Sequence, residues 1–494
     1  MARDCDVAVI GAGAAGVAAS VVAARSGCRV TLIDVGDRPG GQYYRGAQQR
    51  SAVEKRHPVA LSDRRTSGGR GSGLSYAALA SDLDRLVAAN AVGYRPRTTA
   101  YALERAGQRL RVRTRGEARQ GRLGRPAGPD RHRDDVDVID AGTVVLATGA
   151  FDRPLPFPGW TLPGVMTGGG AQSLVKGQHV LPGRRVVVAG TGPFLLAVAA
   201  TLLEHGAEVA AVVEANDPVV GSVRQVRGLT SGLGKAGDLG RFIAALARHR
   251  VPYLRRHRVV EALGDDRVTG VRVARVDANW HTIPGTERVI ECDAVSVGFG
   301  FVAQLDLAAQ LGARTVRGAD GGLAVEVDDD QATSVPGLLA AGETTGIGGV
   351  EAARVEGLVA GATAAVMSDR ASALTPAALE RVRREVARWR RFAAGLHATF
   401  PVRDGWVDSV REDTLVCRCE EVPVSRVREA VALGARDART VKLLSRAGMG
   451  WCQGRMCAAA VDGLCGFDDI ASLRGASYRP VAVPVPLGAL ASED

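Results

Sequence analysis

Lysine is nearly missing from this chain: of 63 basic residues only Lys55, Lys176, Lys235 and Lys442 are lysines, and the rest are arginine. Aromatic residues are scarce too, at 4%. A net charge of +10 invites a nucleic-acid reading, but single-strand platforms are built on aromatics, and a compositional bias toward Arg, Ala and Gly accounts for the charge. Nucleic acid is set aside as a partner. No C-x-x-C pair occurs, which argues against a thiol–disulfide relay. None of the eight histidines falls inside a motif, so no acid–base or nucleophilic constellation is visible. A basic leader is missing as well, since Asp4 and Asp6 interrupt the start. Two charge-free runs of 18 residues, 7–24 and 186–203, have the length of a membrane span. Each is broken by a glycine turn, so both read as buried strand–turn–helix units. The expectation is a cytoplasmic protein with no transmembrane segment.

What is present starts with size. A chain of 494 residues exceeds one ordinary core and implies about three domains. Residues 6–10 form an apolar β run, followed by Gly11-Ala-Gly13-Ala14-Ala15-Gly16 and a helix to about Ser26. A second strand, 29–33, ends at Asp34, 18 positions after Gly16. Strand, G-x-G-x-x-G, helix, strand and acid in this order specify an adenine-dinucleotide site. Gly11 allows the tight turn, Gly13 admits a pyrophosphate to the backbone, and Gly16 lets helix and strand touch. The helix N-terminus offers its N–H groups to phosphate, and Asp34 would take the ribose hydroxyls. Residues 46–75 read as a polar loop, and 116–135 as the polar tip of a hairpin insertion.

A second unit begins at Arg185: Val186-Val-Val-Ala-Gly190-Thr-Gly192-Pro-Phe-Leu195, with a following strand ending at Glu214. Leu195 stands where a third glycine would be. Two such units amount to a repeat at domain scale. The second could bind NAD or another adenine nucleotide at Gly190, Gly192 and Glu214, or survive as a scaffold with an altered pocket. Farther on, residues 293–300 and 337–342 read as strands, with a helix from about Val350. Thr375-Pro376 caps another helix, with Leu379, Val382, Val386, Trp389 and Leu396 as its apolar stripe and arginines on the other face.

Four of the eight cysteines cluster near the C-terminus. Cys417 and Cys419 are separated from Cys452 and Cys457 by 32 residues. Two thiolate pairs could close around zinc or around a [2Fe–2S] cluster, and spacing alone leaves these even. Cys452 and Cys457 are expected to start a helix whose dipole favours negative charge. Cys5, Cys28 and Cys292 read as buried hydrophobes, and Cys465 as packing.

These motifs resemble a known family. Gly11-Ala-Gly13-Ala-Ala-Gly16, Pro39-Gly-Gly41-Gln42, Ala147-Thr148-Gly149 and Ala341-Gly342-Glu343 are similar to the flavin-binding segments of flavoproteins with two dinucleotide domains of the disulfide-reductase type. A narrower resemblance is to the α subunits of hetero-oligomeric amine and imino-acid dehydrogenases of the opine oxidase, proline or D-hydroxyproline dehydrogenase and hydrogen cyanide synthase group. It is carried by Gly40-Gly-Gln-Tyr-Tyr-Arg45, Arg153-Pro-Leu-Pro-Phe-Pro-Gly-Trp160-Thr-Leu-Pro-Gly-Val-Met166, Gly298-Phe-Gly-Phe301 and Gly342-Glu-Thr-Thr-Gly-Ile-Gly-Gly-Val-Glu351-Ala352. Gly448-Met-Gly-Trp-Cys452-Gln-Gly-Arg-Met-Cys457 resembles a bacterioferritin-associated-ferredoxin type of [2Fe–2S] domain.

The resemblance implies FAD on the first unit, with the late turn Gly342, Glu343, Glu351 and Ala352 at the flavin end. It also implies a [2Fe–2S] cluster on Cys417, Cys419, Cys452 and Cys457. Glu343 replaces the family's usual aspartate and is expected to reach a ribityl hydroxyl. The implied fold class is α/β: two Rossmann-like dinucleotide-binding domains and a small all-α [2Fe–2S] domain. Expected boundaries are 1–155 for the first part of the FAD domain (with a β insertion at about 97–143), 156–290 for the second Rossmann-like domain and 291–370 for the rest of the FAD domain. A helical linker at 371–408, the cluster domain at 409–475 and a proline-rich tail at 476–494 complete the chain. The implied role is electron transfer within a dehydrogenase. The implied partners are a flavin-containing amine dehydrogenase β subunit, together with a small ferredoxin-like one. The alternative is a self-contained NAD(P)H-dependent iron–sulfur flavoprotein reductase.

Overall fold

A computed structural model describes residues 3–44, 75–116, 136–467 and 479–491. The polar loop at 46–74, Arg45 and the insertion tip at 117–135 lie outside the described residues. The first apolar run is the strand Arg3–Ile10, parallel to Val30–Ile33 on one side and Val136–Leu146 on the other. The sheet continues through Val92–Arg95 at one edge and the antiparallel hairpin Thr98–Ala106 and Arg109–Gly116 at the other. Leu338–Ala340 returns from far along the chain to pair with Val144–Leu146. The expected β insertion is therefore an extension of the first sheet.

A second sheet is wholly parallel, in the order Tyr253–Arg255, Glu208–Glu214, Arg185–Gly190, Ala294–Gly298, Val165–Thr167. Its three central strands, Glu208–Glu214, Arg185–Gly190 and Ala294–Gly298, are Val/Ala-rich, as strands covered on both faces are. Ala294–Gly298, expected in the FAD domain, pairs instead with Arg185–Gly190, so the second unit closes after Gly298 and not at 290. A two-stranded pair, Ala150–Asp152 with Phe301–Ala303, links the two units.

What brings the two parts of the first unit together is small-residue packing. Helix Ala14–Arg25 lies against helix Val350–Met367. A Cβ on Gly357 would fall 2.1 Å from the Ala15 carbonyl oxygen, and one on Gly361 would fall 2.5 Å from that of Ala19. The capped helix Pro376–Thr399 covers this pair, with Val382, Val386 and Trp389 buried. Its arginine face is less solvated than expected: Arg390 binds Glu356, Arg383 binds Asp330, and the Arg388 Nε donates to the Ser231 carbonyl.

The C-terminal unit packs helices Val424–Ala432, Ala438–Ser445 and Ala458–Cys465 around a short antiparallel pair, Leu415–Cys417 with Val422–Pro423. It shares one apolar core with the second unit, in which Trp160, Trp280, Trp406, Cys417 and Cys457 all take part. Among the described residues no helix is long and apolar enough to cross a membrane.

Gly357→Ala is expected to lower unfolding free energy by about 3 kcal/mol, since backbone must move to admit the methyl. Gly240→Ala, in the open helix Ala236–Arg248 with nothing within 4 Å of the new carbon, is expected to gain about 0.5–1 kcal/mol. Urea denaturation of both variants checks the pair.

Candidate functional site

The first glycine turn is built by close approach. Gly11 has φ +104°, and its Cβ would lie 2.2 Å from the Ala147 oxygen; one on Gly16 would lie 1.7 Å from the Gly11 oxygen. Only glycine fits either place. Helix Ala14–Arg25 starts on Gly13 with no side-chain cap and no acid in its first turn. Its leading N–H groups, at Ala14, Ala15 and Gly16, are thus left for an anionic ligand. Gly40 N donates to the Ala12 oxygen at 2.8 Å, and a Cβ on Gly41 would stand 3.0 Å from Gly13 Cα. The Gly40-Gly41 loop therefore closes over the turn, leaving Gln42 exposed at its edge. The Asp34 carboxylate accepts from Ala12 N at 2.5 Å and Gly36 N at 2.6 Å.

Beside Asp34 lie two phenols that the motifs do not mark. Tyr76 is 7% exposed, and among the described residues the hydroxyls of Tyr76 and Tyr94 have no hydrogen-bond partner. Burial, reinforced by Asp34, pushes both phenols well above the usual tyrosine range. Buried hydroxyls without partners are costly. A ligand carrying several hydroxyls and ring nitrogens, as the adenosine half of FAD does, fits this polar hollow.

The late turn meets the early one. A Cβ on Gly342, which has φ +82°, would lie 3.0 Å from the Ala15 methyl. The Thr148 Oγ1 is 3.2 Å from the Thr344 Oγ1 and donates to the Gln304 carbonyl at 3.1 Å, while Gln304 N donates to the Gly149 oxygen. Glu343 does not reach outward as expected. Its carboxylate accepts from Gly349 N at 2.7 Å and Gly348 N at 3.2 Å, and burial pushes it up to about 7. One carbon longer than aspartate, it folds back onto the backbone just ahead of the helix that follows. Glu351 is occupied by Arg354, and Ala352 is buried against Gly348.

Glu356 was missed by sequence reasoning. It is 3% exposed, accepts from Gly342 N and Thr345 Oγ1 at 2.8 Å each, and is paired with Arg390. An acid inside the apolar run of that helix was the available signal. His397 was missed too: its Nε2 lies 2.7 Å from the Ile347 carbonyl of the same turn.

The second turn has Gly190 at φ +137° and Gly192 at φ +100°, where Gly13 of the first has φ −72°, and it meets a different fate. Glu214 is fully buried. Its carboxylate accepts from Thr191 Oγ1, Gly192 N and Asn216 N at 2.8–2.9 Å, and burial pushes it up to about 7. Asn216 in turn donates to the Pro401 carbonyl and accepts from the Trp280 indole. Helix Phe194–Glu204 begins at Pro193, which has no N–H to give. Past Phe194, the donors Leu195 N and Leu196 N bond the Gly192 and Pro193 carbonyls.

In the C-terminal unit the sulfurs pair two by two. All four are free thiols: Cys417 is within hydrogen-bond reach of Cys457, both buried, and Cys419 of Cys452, nearer the surface. The bond from Cys457, with backbone N–H groups of Gly448, Glu420 and Cys419, pulls the Cys417 thiol down to about 5 despite burial. Among the described residues no three Cys, His, Asp or Glu side chains converge on one ion position. Four neighbouring thiols suit a soft metal centre, and a two-iron cluster takes two thiolates per iron. The donor set fits [2Fe–2S]. Cys452 lies in a turn and Cys457 is the N-cap of Ala458–Cys465, so only the second cysteine begins a helix.

Comparison with known proteins agrees with this geometry. The pyridine nucleotide-disulphide oxidoreductase family model matches residues 5–367, and the BFD-like [2Fe-2S] binding domain matches residues 415–465. The A subunit of opine oxidase from Agrobacterium tumefaciens (strain Ach5) is 34% identical over 467 residues, covering 92% of this chain and 84% of that protein. Hydrogen cyanide synthase subunit HcnB of Pseudomonas aeruginosa is 33% identical over 456 residues, covering 91% and 90%. L-proline dehydrogenase from P. horikoshii shares the fold, with a TM-score of 0.63 over 99% of this chain and 80% of that one at 20% identity. The two family matches imply FAD and an iron–sulfur cluster. The chain is a flavoprotein oxidoreductase that belongs to the pyridine nucleotide-disulphide oxidoreductase family, in the group of the opine oxidase A subunit and hydrogen cyanide synthase subunit HcnB, with a BFD-like [2Fe–2S] domain at its C-terminal end.

Proposed function

We propose that this chain is the electron-transferring subunit of a hetero-oligomeric amine or imino-acid dehydrogenase. Gly11, Gly13, Ala14, Ala15, Gly16, Asp34, Gly41 and Gln42 hold the ADP half of FAD, and Thr148, Gly149 and Gly342 hold the flavin half. Cys417, Cys419, Cys452 and Cys457 hold the cluster. Bound flavin supplies a carrier that takes up two electrons and releases them singly. The protein's part is placement. The free N–H groups of Ala14, Ala15 and Gly16 bind phosphate, Asp34 and the two phenols orient the adenosine, and Glu356 fixes the late turn. The carrying observation is the set of four clustered free cysteines in the same chain as a glycine turn whose helix has no side-chain cap and no acid in its first turn. Trp451, 81% exposed beside Cys452, offers a large apolar surface of the kind a partner covers. A flavin-bearing β subunit that dehydrogenates the amine, with a small ferredoxin-like subunit, completes the proposed assembly.

The alternative, an NAD(P)H-dependent reductase, needs the second turn open. Glu214 has no acceptor capacity facing outward, and Pro193 removes a phosphate donor. We read that unit as a retained scaffold whose ribose position is filled by Asn216, Trp280 and Pro401.

The purified chain alone is expected to carry flavin and iron yet oxidise no opine, imino acid or glycine; robust oxidation by it alone would overturn the reading. Adding NADH without oxygen is expected to bleach no flavin and to leave tryptophan fluorescence, to which the fully buried Trp280 contributes, unchanged. Serine at each of the four cysteines is expected to abolish the brown chromophore, measured as iron and acid-labile sulfide, whereas Cys465→Ser retains it.

A further inference from the structure

Between the two cysteines of the second pair lies an arginine that leaves its own turn. Arg455 N donates to the Cys452 carbonyl at 3.2 Å, which ties it to the cysteine loop. Its Nη2 donates to Asp306 Oδ2 at 3.2 Å and to the Ala482 carbonyl at 2.7 Å. The guanidinium carbon stands 5.1 Å from the centre of the Phe151 ring, within cation–π range. Arg479 approaches from the other side, with its Nη1 2.8 Å from Asp306 Oδ1. A Cβ on Gly454 would lie 3.5 Å from the other end of that guanidinium, so Arg479 backs the cysteine loop directly. All three side chains are largely buried, at 14%, 13% and 9% exposed for Arg455, Arg479 and Asp306.

Two of the three anchors of Arg455, Phe151 and Asp306, lie next to the proposed flavin site. Phe151 lies two positions past Gly149. Asp306 lies two past Gln304, whose amide bonds Gly149 and whose carbonyl bonds Thr148. Thr148 in turn touches Thr344 of the late turn. A continuous series of contacts therefore runs from that turn to the cysteine loop. Two permanent cations converge here on one carboxylate, and Arg479 lies within electrostatic reach of both Cys452 and Cys457. Four thiolates, two ferric ions and the two bridging sulfides together carry net negative charge, and at largely buried sites the attraction between that charge and the guanidinium groups is weakly screened.

We propose that Arg455, clamped by Asp306 and backed by Arg479, is the positioning residue that seats the cluster loop on the flavin unit, and that this pair of arginines raises the cluster's reduction potential. The inference rests on the reading of the cysteines given above. In the step concerned, one ferric ion of the pair becomes ferrous by gaining one electron, and the flavin is the donor, oxidised by that one electron. No bond forms or breaks within the cluster. Net charge near the irons is a recognised determinant of this potential, and a nearby cation favours the reduced, more negative state.

The test is an EPR-monitored redox titration of the full chain. Arg455→Gln and Arg479→Gln are expected to keep the cluster signal and move its midpoint to lower potential. Asp306→Asn, which removes the negative partner, is expected to move it higher. Arg455→Lys is expected to hold the wild-type midpoint while slowing cluster reduction by the flavin in stopped-flow traces. If the glutamine variants lose iron, Arg455→Lys and Asp306→Asn carry the same test. An unmoved midpoint in Asp306→Asn, or shifts of the same sign in all variants, overturns the proposal. Absence of any cluster signal from the wild-type chain overturns instead the cofactor reading on which it stands.

Discussion

Two helices far apart in the chain meet backbone to backbone, and the functional geometry depends on that contact. Ala14–Arg25 carries the early glycine turn at its head and Val350–Met367 carries the late one. Gly357 and Gly361 face Ala15 and Ala19 with no room for a side chain between them. Interiors are packed densely enough that a methyl cannot be absorbed at such a place. Because the helices touch, their N-termini converge, and Gly342 comes to rest against Ala15. Were the helices held apart by ordinary side chains, each turn would still form, but no single cofactor could bridge them.

Around this contact, buried carboxylates act as clips between distant segments. Glu356 joins the late turn to Arg390 of the covering helix, and Asp306 joins the cysteine loop to the C-terminal segment through Arg455 and Arg479. Ionised groups out of water gain little net stability, and removing one partner is costly. Their value here is positional: each carboxylate has several donors converging on it, so the loops it joins have one arrangement. Apolar packing alone would hold the same surfaces together without setting the distance between redox loops to the same tolerance.

The two dinucleotide units show how one local pattern reaches two ends. Both have a glycine of positive φ, Gly11 or Gly190, after a buried parallel strand and an acid at the end of the next strand. In the first, the helix begins with an uncapped Gly13 and neighbouring phenols lack partners. In the second, Pro193 withholds a donor, and the segment around Pro401 together with Trp280 covers the acid. Gly405 packs so closely on Asn279 that a Cβ would fall 2.4 Å from its carbonyl oxygen. The connection into the C-terminal unit thus packs closely beside the buried acid of the second unit.

Glycine turns, their flanking strands and the four clustered thiols were legible because each depends on residues close together in the chain: a positive φ needs glycine, a strand covered on both faces needs an apolar run, and soft metals need sulfur. The family resemblance then tied the pieces together. Glu356, His397, the two phenols and Arg455 were not legible, because their partners lie across the fold and no spacing announces them. The engagement of Glu343 was not legible for the same reason, since only the folded backbone shows its carboxylate holding the Gly348 and Gly349 amides. Sequence alone determined which chemical groups were on offer, through local sterics and composition. Tertiary structure decided which turn stays open, how the sulfurs pair and where the arginines aim, since burial and convergence are properties of contacts between remote segments.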